Sequence, residues 1–340
     1  MRENNESNIQ WRTGLIILVL DLVMLSFLYW NVISVQGEMI KQAETTYMCE
    51  QVHVMEAILR DLGKECQSLN KSIASYPEVE KSMIKAKHQD LKKLSLPDYS
   101  SWQSRYSLTN LQLISPQGLI LGSAKKAIEE KEDVSYRRLI LASLRDKGNL
   151  VAFESDHAGF NLVSTVALFT ADKFIGLSEL DMSLEQALER KLAKKVNGHY
   201  AIFQLDGIHS SLTWEDKASR MVLNTSDIKK IHQGEAYYRP TPDKKTMLLV
   251  VPLKDIDGVS IGYIQGEISR QAFQDARTNN LLFLLITTLL ILIASLFMVS
   301  RERFDFPQSK HKTVTDSGKI SRVCINVQPA QQDNHEDEKR

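Results

Sequence analysis

The sequence predicts an α+β fold, in which a long N-terminal helix precedes two tandem antiparallel-sheet modules and a transmembrane helix lies on either side. Three observations predict it: two 19-residue apolar runs, a helical repeat of apolar residues after the first run, and paired β-like runs that recur along the chain. The chain has 340 residues, with 42 Lys and Arg against 42 Asp and Glu. This balance indicates no electrostatic affinity for nucleic acid.

The two apolar runs cover residues 14–32 and 281–299. Nineteen helical residues extend roughly 28 Å, which is enough to cross a bilayer. We interpret the first run as a retained anchor and not as a cleaved signal peptide. It is long, contains Asp21, and has no small-residue cleavage site after Tyr29.

The distribution of Lys and Arg predicts the orientation of the two membrane helices. These residues are concentrated before the first apolar run and after the second. By the positive-inside rule, residues 1–13 and the tail at 300–340 are expected in the cytoplasm, and residues 33–280 outside it. One β-like run, at residues 320–327, is expected in the tail.

A long stalk helix is predicted to follow the first membrane run. From Met48 to Ile73, apolar residues recur at alternating spacings of four and three, and no proline interrupts the chain before Pro77. We call this row of side chains the seam. Either the seam packs on its own domain, or it also pairs two subunits in a parallel homodimer. About 25 Å of helix separates Cys49 from Cys66, which is too far for an intrachain disulfide.

Two β-rich modules are predicted after the helical region, which covers residues 33–94 and includes a second helix at 78–94. The first module is assigned to residues 95–192, with a helix at 134–146, and the second to residues 193–280. Each opens with a strand and a glycine turn and closes with a hairpin. Setting the two modules side by side aligns three further pairs of residues: Gly176 with Gly262, Asp181 with Glu267, and Ser183 with Ser269.

The turns and hairpins of the two modules resemble those of double Cache sensor domains in bacterial transmembrane receptors. Four stretches carry the resemblance, which extends over about residues 34–275: residues 114–121, 166–182, 204–208 and 251–268. It implies Cache- or PAS-like modules, a homodimer, and a place in the bacterial inner membrane with the large domain in the periplasm. It also implies that a small-molecule ligand, a carboxylate or an amine, binds the membrane-distal first module.

The resemblance leaves the output of such a sensor to another protein. The tail over residues 300–340 has 41 residues, too few for the cytoplasmic transmitter of these receptors. We therefore expect a signalling partner in the cytoplasm or membrane, or the other part of a split receptor. The alternative function is an envelope structural or assembly protein that uses the same scaffold as a protein-binding surface.

The ligand site is predicted between the first module's helix and its sheet. A guanidinium there suits a carboxylate, and Asp181 suits an amine. The opposing interpretation is that Arg137 and Arg138 are solvated and that Asp181 closes its strand in an ion pair. The predicted ligand-binding residues are Tyr136, Arg138, Glu154, Ser164 and Asp181.

Asp21 is a carboxylate inside a predicted membrane helix, where it costs about 2.5–3.5 kcal/mol on insertion scales. It is expected either to bond a hydroxyl in a static helix pair or to contact a partner's membrane helix. Elsewhere, the eight histidines show no metal-ligand spacing, and no familiar catalytic or nucleotide-binding motif occurs. We therefore expect neither a metal, nor a cofactor, nor an enzyme.

Overall fold

The computed structural model describes residues 2–85, 89–90, 99–124, 132–156, 159–195, 198–207, 209–215 and 223–304. Residues 20–288 belong to one compact unit, which holds all of the described strands. The described residues 2–19 and 289–304 belong to a second unit and are helical.

The described elements, in chain order, are α1 (Arg2–Ala74), α2 (Pro77–Lys85), β1 (Gln89–Asp90), α3 (Tyr99–Tyr106), β2 (Leu108–Ile114), β3 (Ile120–Ser123), α4 (Arg138–Asp146), β4 (Leu150–Asp156), β5 (Gly159–Thr170), β6 (Lys173–Ser183), α5 (Leu184–Lys195), β7 (His199–Asp206), β8 (His209–Glu215), α6 (Thr225–His232), β9 (Tyr237–Pro240), β10 (Thr246–Lys254), β11 (Ser260–Ser269) and α7 (Gln271–Phe304). The predicted membrane runs lie within α1 and α7, and both helices are long and apolar enough to cross a membrane. The predicted β-like run in the tail and Cys324 lie outside the described residues.

Helix α1 ends at Ala74, as the proline that follows predicts. The side chains of Met55, Leu62 and Cys66 are fully buried, and the seam packs in one hydrophobic core with strands of both modules. This confirms the interpretation that the seam packs on its own domain. A homodimer, which stays a prediction, therefore has to use another surface. Cys49 is exposed, and both it and Cys66 are free thiols.

The region after α1 differs from its prediction. The second helix was expected to continue to residue 94, but α2 ends at Lys85, and residues 89–90 form β1, which pairs in parallel with β3. Residues 91–94 lie outside the described part of the chain. A further helix, α3, occupies a stretch that the sequence assigned to β-like runs. Helix α3 has no fully buried residue, and only its aromatic side chains Tyr99, Trp102 and Tyr106 pack partly against the core.

The two sheets confirm the predicted pair of antiparallel modules. Sheet 1 has the order β1-β3-β2-β6-β5-β4, and sheet 2 has the order β8-β7-β11-β10-β9. Without the short edge strand β1, the two orders are the same, and every remaining pair is antiparallel. The chain is thus an α+β protein built on an internal repeat.

The strand register supports the predicted alignment of the two modules. Asp181 on β6 pairs with Asn110, and Glu267 on β11 pairs with His199. Each of these partners lies eight residues before the turn glycine of its module, Gly118 or Gly207. Asp181 and Glu267 therefore occupy equivalent positions.

Each sheet has an inner face that packs on α1 and an outer face that carries a short helix. Alternate residues of a strand point to opposite faces. Leu180 and Met182 of β6 belong to the core that contains the α1 seam, whereas Leu177 packs with Ile140 of α4. In sheet 2, α6 takes the place of α4, and its Ile231 packs with Tyr263.

Candidate ligand-binding site

The outer face of sheet 1 carries a cluster of charged side chains beneath the start of α4. Glu179 and Asp181 lie two residues apart on β6, so both belong to the outer face. Glu154 lies on the same face, at the far end of β4. We call these three carboxyl groups, together with Arg137, the acid cluster.

The side chain of Arg137 reaches the carboxyl groups of the acid cluster because Arg137 precedes the helix. Helix α4 begins at Arg138, and Arg137 is its N-cap residue with extended backbone angles of φ −70° and ψ 128°. Its Nε donates a hydrogen bond to Glu154 Oε2 at 3.1 Å, and its Nη2 lies 2.6 Å from Glu179 Oε1. The side chain of Glu179 has no solvent exposure. A single guanidinium thus bridges two carboxylates.

Burial and mutual repulsion shift the titration of the acid cluster. Burial raises the pKa of Asp181 well above its usual range, and the neighbouring charge of Glu179 raises it further. Burial also raises the pKa of Glu179, although Arg137 opposes this. Burial disfavours the charged form of Arg137, but Glu179 and Glu154 outweigh it and keep its pKa above the ordinary value. Burial and the charge of Glu179 both favour the protonated form of Asp181.

Several buried polar atoms around this cluster lack hydrogen-bond partners among the described residues: Tyr99 Oη, Gln112 Oε1, both carboxylate oxygens of Glu179, and Asp181 Oδ1. Arg137 forms an ion pair with Glu179, and Glu179 also interacts with the neighbouring side chain of Asp181. Burial, and then the charge of Asp181, raise the pKa of Tyr99 to about 12. An unsatisfied buried polar group costs about 1–3 kcal/mol. Such a concentration indicates a site that something else completes.

The structure brings together two of the five predicted ligand-binding residues, Glu154 and Asp181. Tyr136 is 75% exposed. Ser164 lies on the inner face, where it pairs with Leu180, and its carbonyl oxygen accepts a hydrogen bond from Asn70 Nδ2 at 2.6 Å. The side chain of Ser164 is therefore separated from Asp181 by the sheet, because even-numbered residues of β5 face α1.

Arg138 also lies away from the acid cluster. Its side chain is 64% exposed, and its Nη1 lies 3.2 Å from Asp255 Oδ2 and 3.0 Å from Asp257 Oδ2 in the second module. The sequence predicts that this helix begins at residue 134, with a solvated side chain as one interpretation of Arg137. Since the helix begins four residues later, Arg137, and not Arg138, faces the sheet.

The contact of Arg138 belongs to a larger junction between the modules. Residues 255–258 form the β10–β11 turn, in which Asp255 Oδ1 accepts hydrogen bonds from the backbone of Asp257 and Val259. Ile256, at the tip, packs against Leu139, Ala152 and Val163 of the first module. We call residues 255–258 the docking turn. It contacts α4 immediately after Arg137.

Sequence reasoning selected Arg138 in place of Arg137 and did not name Glu179, Tyr99 or Gln112. The strand parity of Asp181 alone predicts that Glu179 shares its face, so this residue was within reach of the sequence. Arg137 depends on where α4 begins, and helix boundaries are the least certain feature of a pattern. Asp21 is exposed on α1. Among the described residues, no group of three or more His, Cys, Asp and Glu side chains is arranged to hold a metal ion.

Comparisons with known proteins find similarity at the level of structure. No family model and no curated protein matches the chain. The ligand-binding domain of the Campylobacter jejuni chemoreceptor Tlp3, solved with L-norvaline, has a TM-score of 0.45 and 14% identity, with 69% of this chain and 94% of that chain covered. The sensor domain of the V. cholerae histidine kinase DctB has a TM-score of 0.42 and 11% identity, with 67% and 98% covered.

A third similar structure is an extracellular ligand binding receptor from Desulfohalobium retbaense, with a TM-score of 0.42 and 14% identity. The alignment covers 65% of this chain and 39% of that one. The solved structures similar to this chain thus include sensor domains of chemoreceptors and histidine kinases, the class of domain that the sequence motifs resemble.

Proposed function

We propose that this protein is an extracytoplasmic sensor that binds a small amine on the outer face of sheet 1, within the module over residues 95–192. The observation that carries the proposal is the set of buried polar atoms without partners around Glu179 and Asp181. Most of them are hydrogen-bond acceptors, which an ammonium group with three N–H donors satisfies. The resemblance of the sequence motifs to sensor modules supports the same function.

The choice of an amine over a carboxylate follows from the state of Arg137. Its guanidinium already contacts Glu154 and Glu179, so it offers little to a ligand carboxylate. The cluster holds three carboxyl groups and one guanidinium, so acidic groups are in excess. A cationic ligand offsets this excess and supplies the missing hydrogen bonds.

The docking turn offers a route from this site to the second module. Arg137 lies in the acid cluster, whereas the next two residues, Arg138 and Leu139, contact the docking turn. A ligand that shifts the start of α4 therefore changes contacts of the second module, whose last strand, β11, leads into α7. The proposed anchors are residues 14–32 and 281–299.

A thermal unfolding screen of the full-length protein in detergent micelles tests the ligand class. The panel holds primary amines, diamines and amino-acid esters, with carboxylates of matched size as controls. We expect an amine to stabilise the protein, by about 2.7 kcal/mol at 100 times its dissociation constant. Asp181→Asn and Glu179→Gln should each weaken that amine at least tenfold. The proposal would be wrong if only carboxylates stabilised the protein, or if both variants bound the amine as tightly as the unmutated protein.

The orientation in the membrane is tested separately by reporter fusions. An alkaline phosphatase fused at Asn197 should be active, and one fused after Ser317 should be inactive. The opposite result at either position would overturn the topology. Signalling through a partner protein stays a prediction from the sequence. The envelope-scaffold alternative is less favoured, because protein docking does not require charged groups buried beneath α4.

A further inference from the structure

The second sheet repeats the polar positions of the first. Glu267 occupies the position of Asp181 by strand register, and Gln265, two residues earlier on β11, occupies the position of Glu179. Both side chains lie on the outer face of sheet 2. The internal repeat therefore places two polar groups where the first module has its acid cluster.

Buried polar atoms without hydrogen-bond partners also occur on these two side chains. Gln265 is 1% exposed, and neither its Nε2 nor its Oε1 has a hydrogen-bond partner in the described part of the chain. Glu267 Oε1 is likewise buried and unpaired. Each such atom costs about 1–3 kcal/mol when nothing satisfies it. The same cost thus recurs at the same two strand positions of both modules.

The fold itself does not require polar residues at these positions. Gln265 lies between two apolar cross-strand neighbours, Val250 on β10 and Ala201 on β7. Glu267 lies between Leu248 and His199. Tyr263, the preceding outer-face residue of β11, is buried in the cluster beneath α6. An apolar residue at position 265 would fit this surface and remove the cost of desolvation.

We propose that the outer face of sheet 2 is a second small-molecule site. Its ligand presents a carboxamide-like edge, with a donor beside an acceptor, to Gln265, and an N–H donor to Glu267. The side-chain amide of Gln265 offers the complementary pair of atoms, Nε2 and Oε1. This proposal is independent of the amine site in the first module.

The charges around the second site distinguish its ligand from that of the first. Arg239 donates three hydrogen bonds to the buried carboxylate of Asp227, between 2.7 and 3.2 Å. This pair is neutral and saturated, so it offers little to a ligand carboxylate. Residues two apart on a strand are separated by roughly 6.6 Å. With a hydrogen bond of about 2.9 Å at each end, a molecule with an amine and a carboxamide one or two carbons apart bridges groups at that separation.

The test uses glycinamide as the probe and thermal unfolding of the full-length protein in micelles as the readout. All variants carry Asp181→Asn, so that the amine site of the first module is removed from every measurement. Gln265→Leu is compared with Gln204→Leu, the same change on the inner face of the same sheet, where Gln204 is partly buried and donates a hydrogen bond to Ser155 Oγ. Glu267→Gln is a conservative second variant.

We expect glycinamide to stabilise the Asp181→Asn protein and the Gln204→Leu control equally. Gln265→Leu should weaken the response at least tenfold and raise the melting temperature without the probe, because it removes an unsatisfied amide. Glu267→Gln should weaken the response while preserving the fold. The second site would be wrong if the Asp181→Asn protein showed no response to glycinamide, or if Gln265→Leu left the response unchanged. Either result would indicate that water alone satisfies these buried polar groups.

Discussion

The outer faces of the two sheets share one framework but carry different charges. In sheet 1, Glu179 and Asp181 lie beside Arg137, which reaches them from the residue before α4. In sheet 2, Gln265 and Glu267 take the equivalent positions, while Arg239 on β9 pairs with Asp227 of α6. On the first face, the arginine and the carboxyl groups thus form one cluster. On the second face, the arginine pairs with a residue of α6 and not with the polar residues of β11.

This difference shows that equivalent faces of a repeated fold can use an arginine in two ways, to stabilise a helix end or to hold charges at a proposed ligand site. The ion pair between Asp227 and Arg239 closes the start of α6, where Asp227 also forms a capping box with Asn224. It has a structural use. Arg137 forms no cap of its helix and is committed to the carboxylates of the sheet. The two arginines should therefore respond differently to mutation.

The largest expected effect is that of Arg137→Ala. It leaves the buried carboxylate of Glu179 without a counter-charge, so we expect the free energy of unfolding to fall by about 3–5 kcal/mol. Arg138→Ala is the matched control, because this neighbouring arginine is exposed and its ion pairs contribute about 0–1 kcal/mol. Chemical denaturation of both variants measures the difference. Equal losses would show that the acid cluster is not energetically coupled to Arg137.

A smaller loss is expected for Arg239→Ala in the second module. The carboxylate of Asp227 would keep the hydrogen bond that it accepts from the backbone N–H of Asn224, so the cost should be about 1–3 kcal/mol. Lys229→Ala, on the exposed face of α6, serves as the control. A loss as large as that of Arg137→Ala would remove the proposed distinction between a capping pair and a binding cluster.

The docking turn should contribute less than either arginine. Ile256 is only partly buried against Leu139, Ala152 and Val163, so Ile256→Ala should cost about 1–2 kcal/mol, below the usual range for a fully buried isoleucine. Hydrogen exchange should become faster both in the turn and at the start of α4. Val259→Ala, an exposed neighbour, provides the comparison. Faster exchange in the turn alone would mean that the modules are not coupled there.

The smallest effect is expected for Asp181→Asn without ligand, and it depends on pH. Because the folded-state pKa of Asp181 is raised, the folded protein binds more protons than the unfolded chain. Stability is therefore greatest below the ordinary carboxyl pKa of about 4 and declines as the pH rises through the raised value. Asp181→Asn should flatten this decline and stabilise the protein by about 1 kcal/mol at neutral pH.

A control for the pH profile lies at the end of α4. Asp146 is solvent-exposed, and its pKa is lowered, chiefly by a hydrogen bond from Arg145. Its contribution is present above the ordinary carboxyl pKa and is lost only as the pH falls through the lowered value. Asp146→Asn should therefore leave the decline of stability toward neutral pH unchanged. If Asp181→Asn also left this decline unchanged, the raised pKa of Asp181 would be contradicted.

The fold was accessible from the sequence where a pattern repeats over many residues. The seam of α1 and the hairpins of both modules are such patterns, and pairing Asp181 with Glu267 followed from matching glycines. The site was less accessible. Ser164 was assigned to the ligand site although its parity places it on the α1 side, and the end of α2 at Lys85 gave no breaker signal such as proline. Arg138 was selected in place of Arg137 because the start of α4 determines which of two adjacent arginines faces the sheet.

The most direct test of the amine site is hydrogen exchange of the full-length protein with and without the amine that stabilises it most. The account predicts slower exchange in β6 around Glu179 and Asp181 and at the start of α4, extending to the docking turn. The protection in β6 should disappear in Asp181→Asn and persist in Gln265→Leu. Protection by the amine that spares β6, or that survives Asp181→Asn, would contradict a ligand site on the outer face of sheet 1.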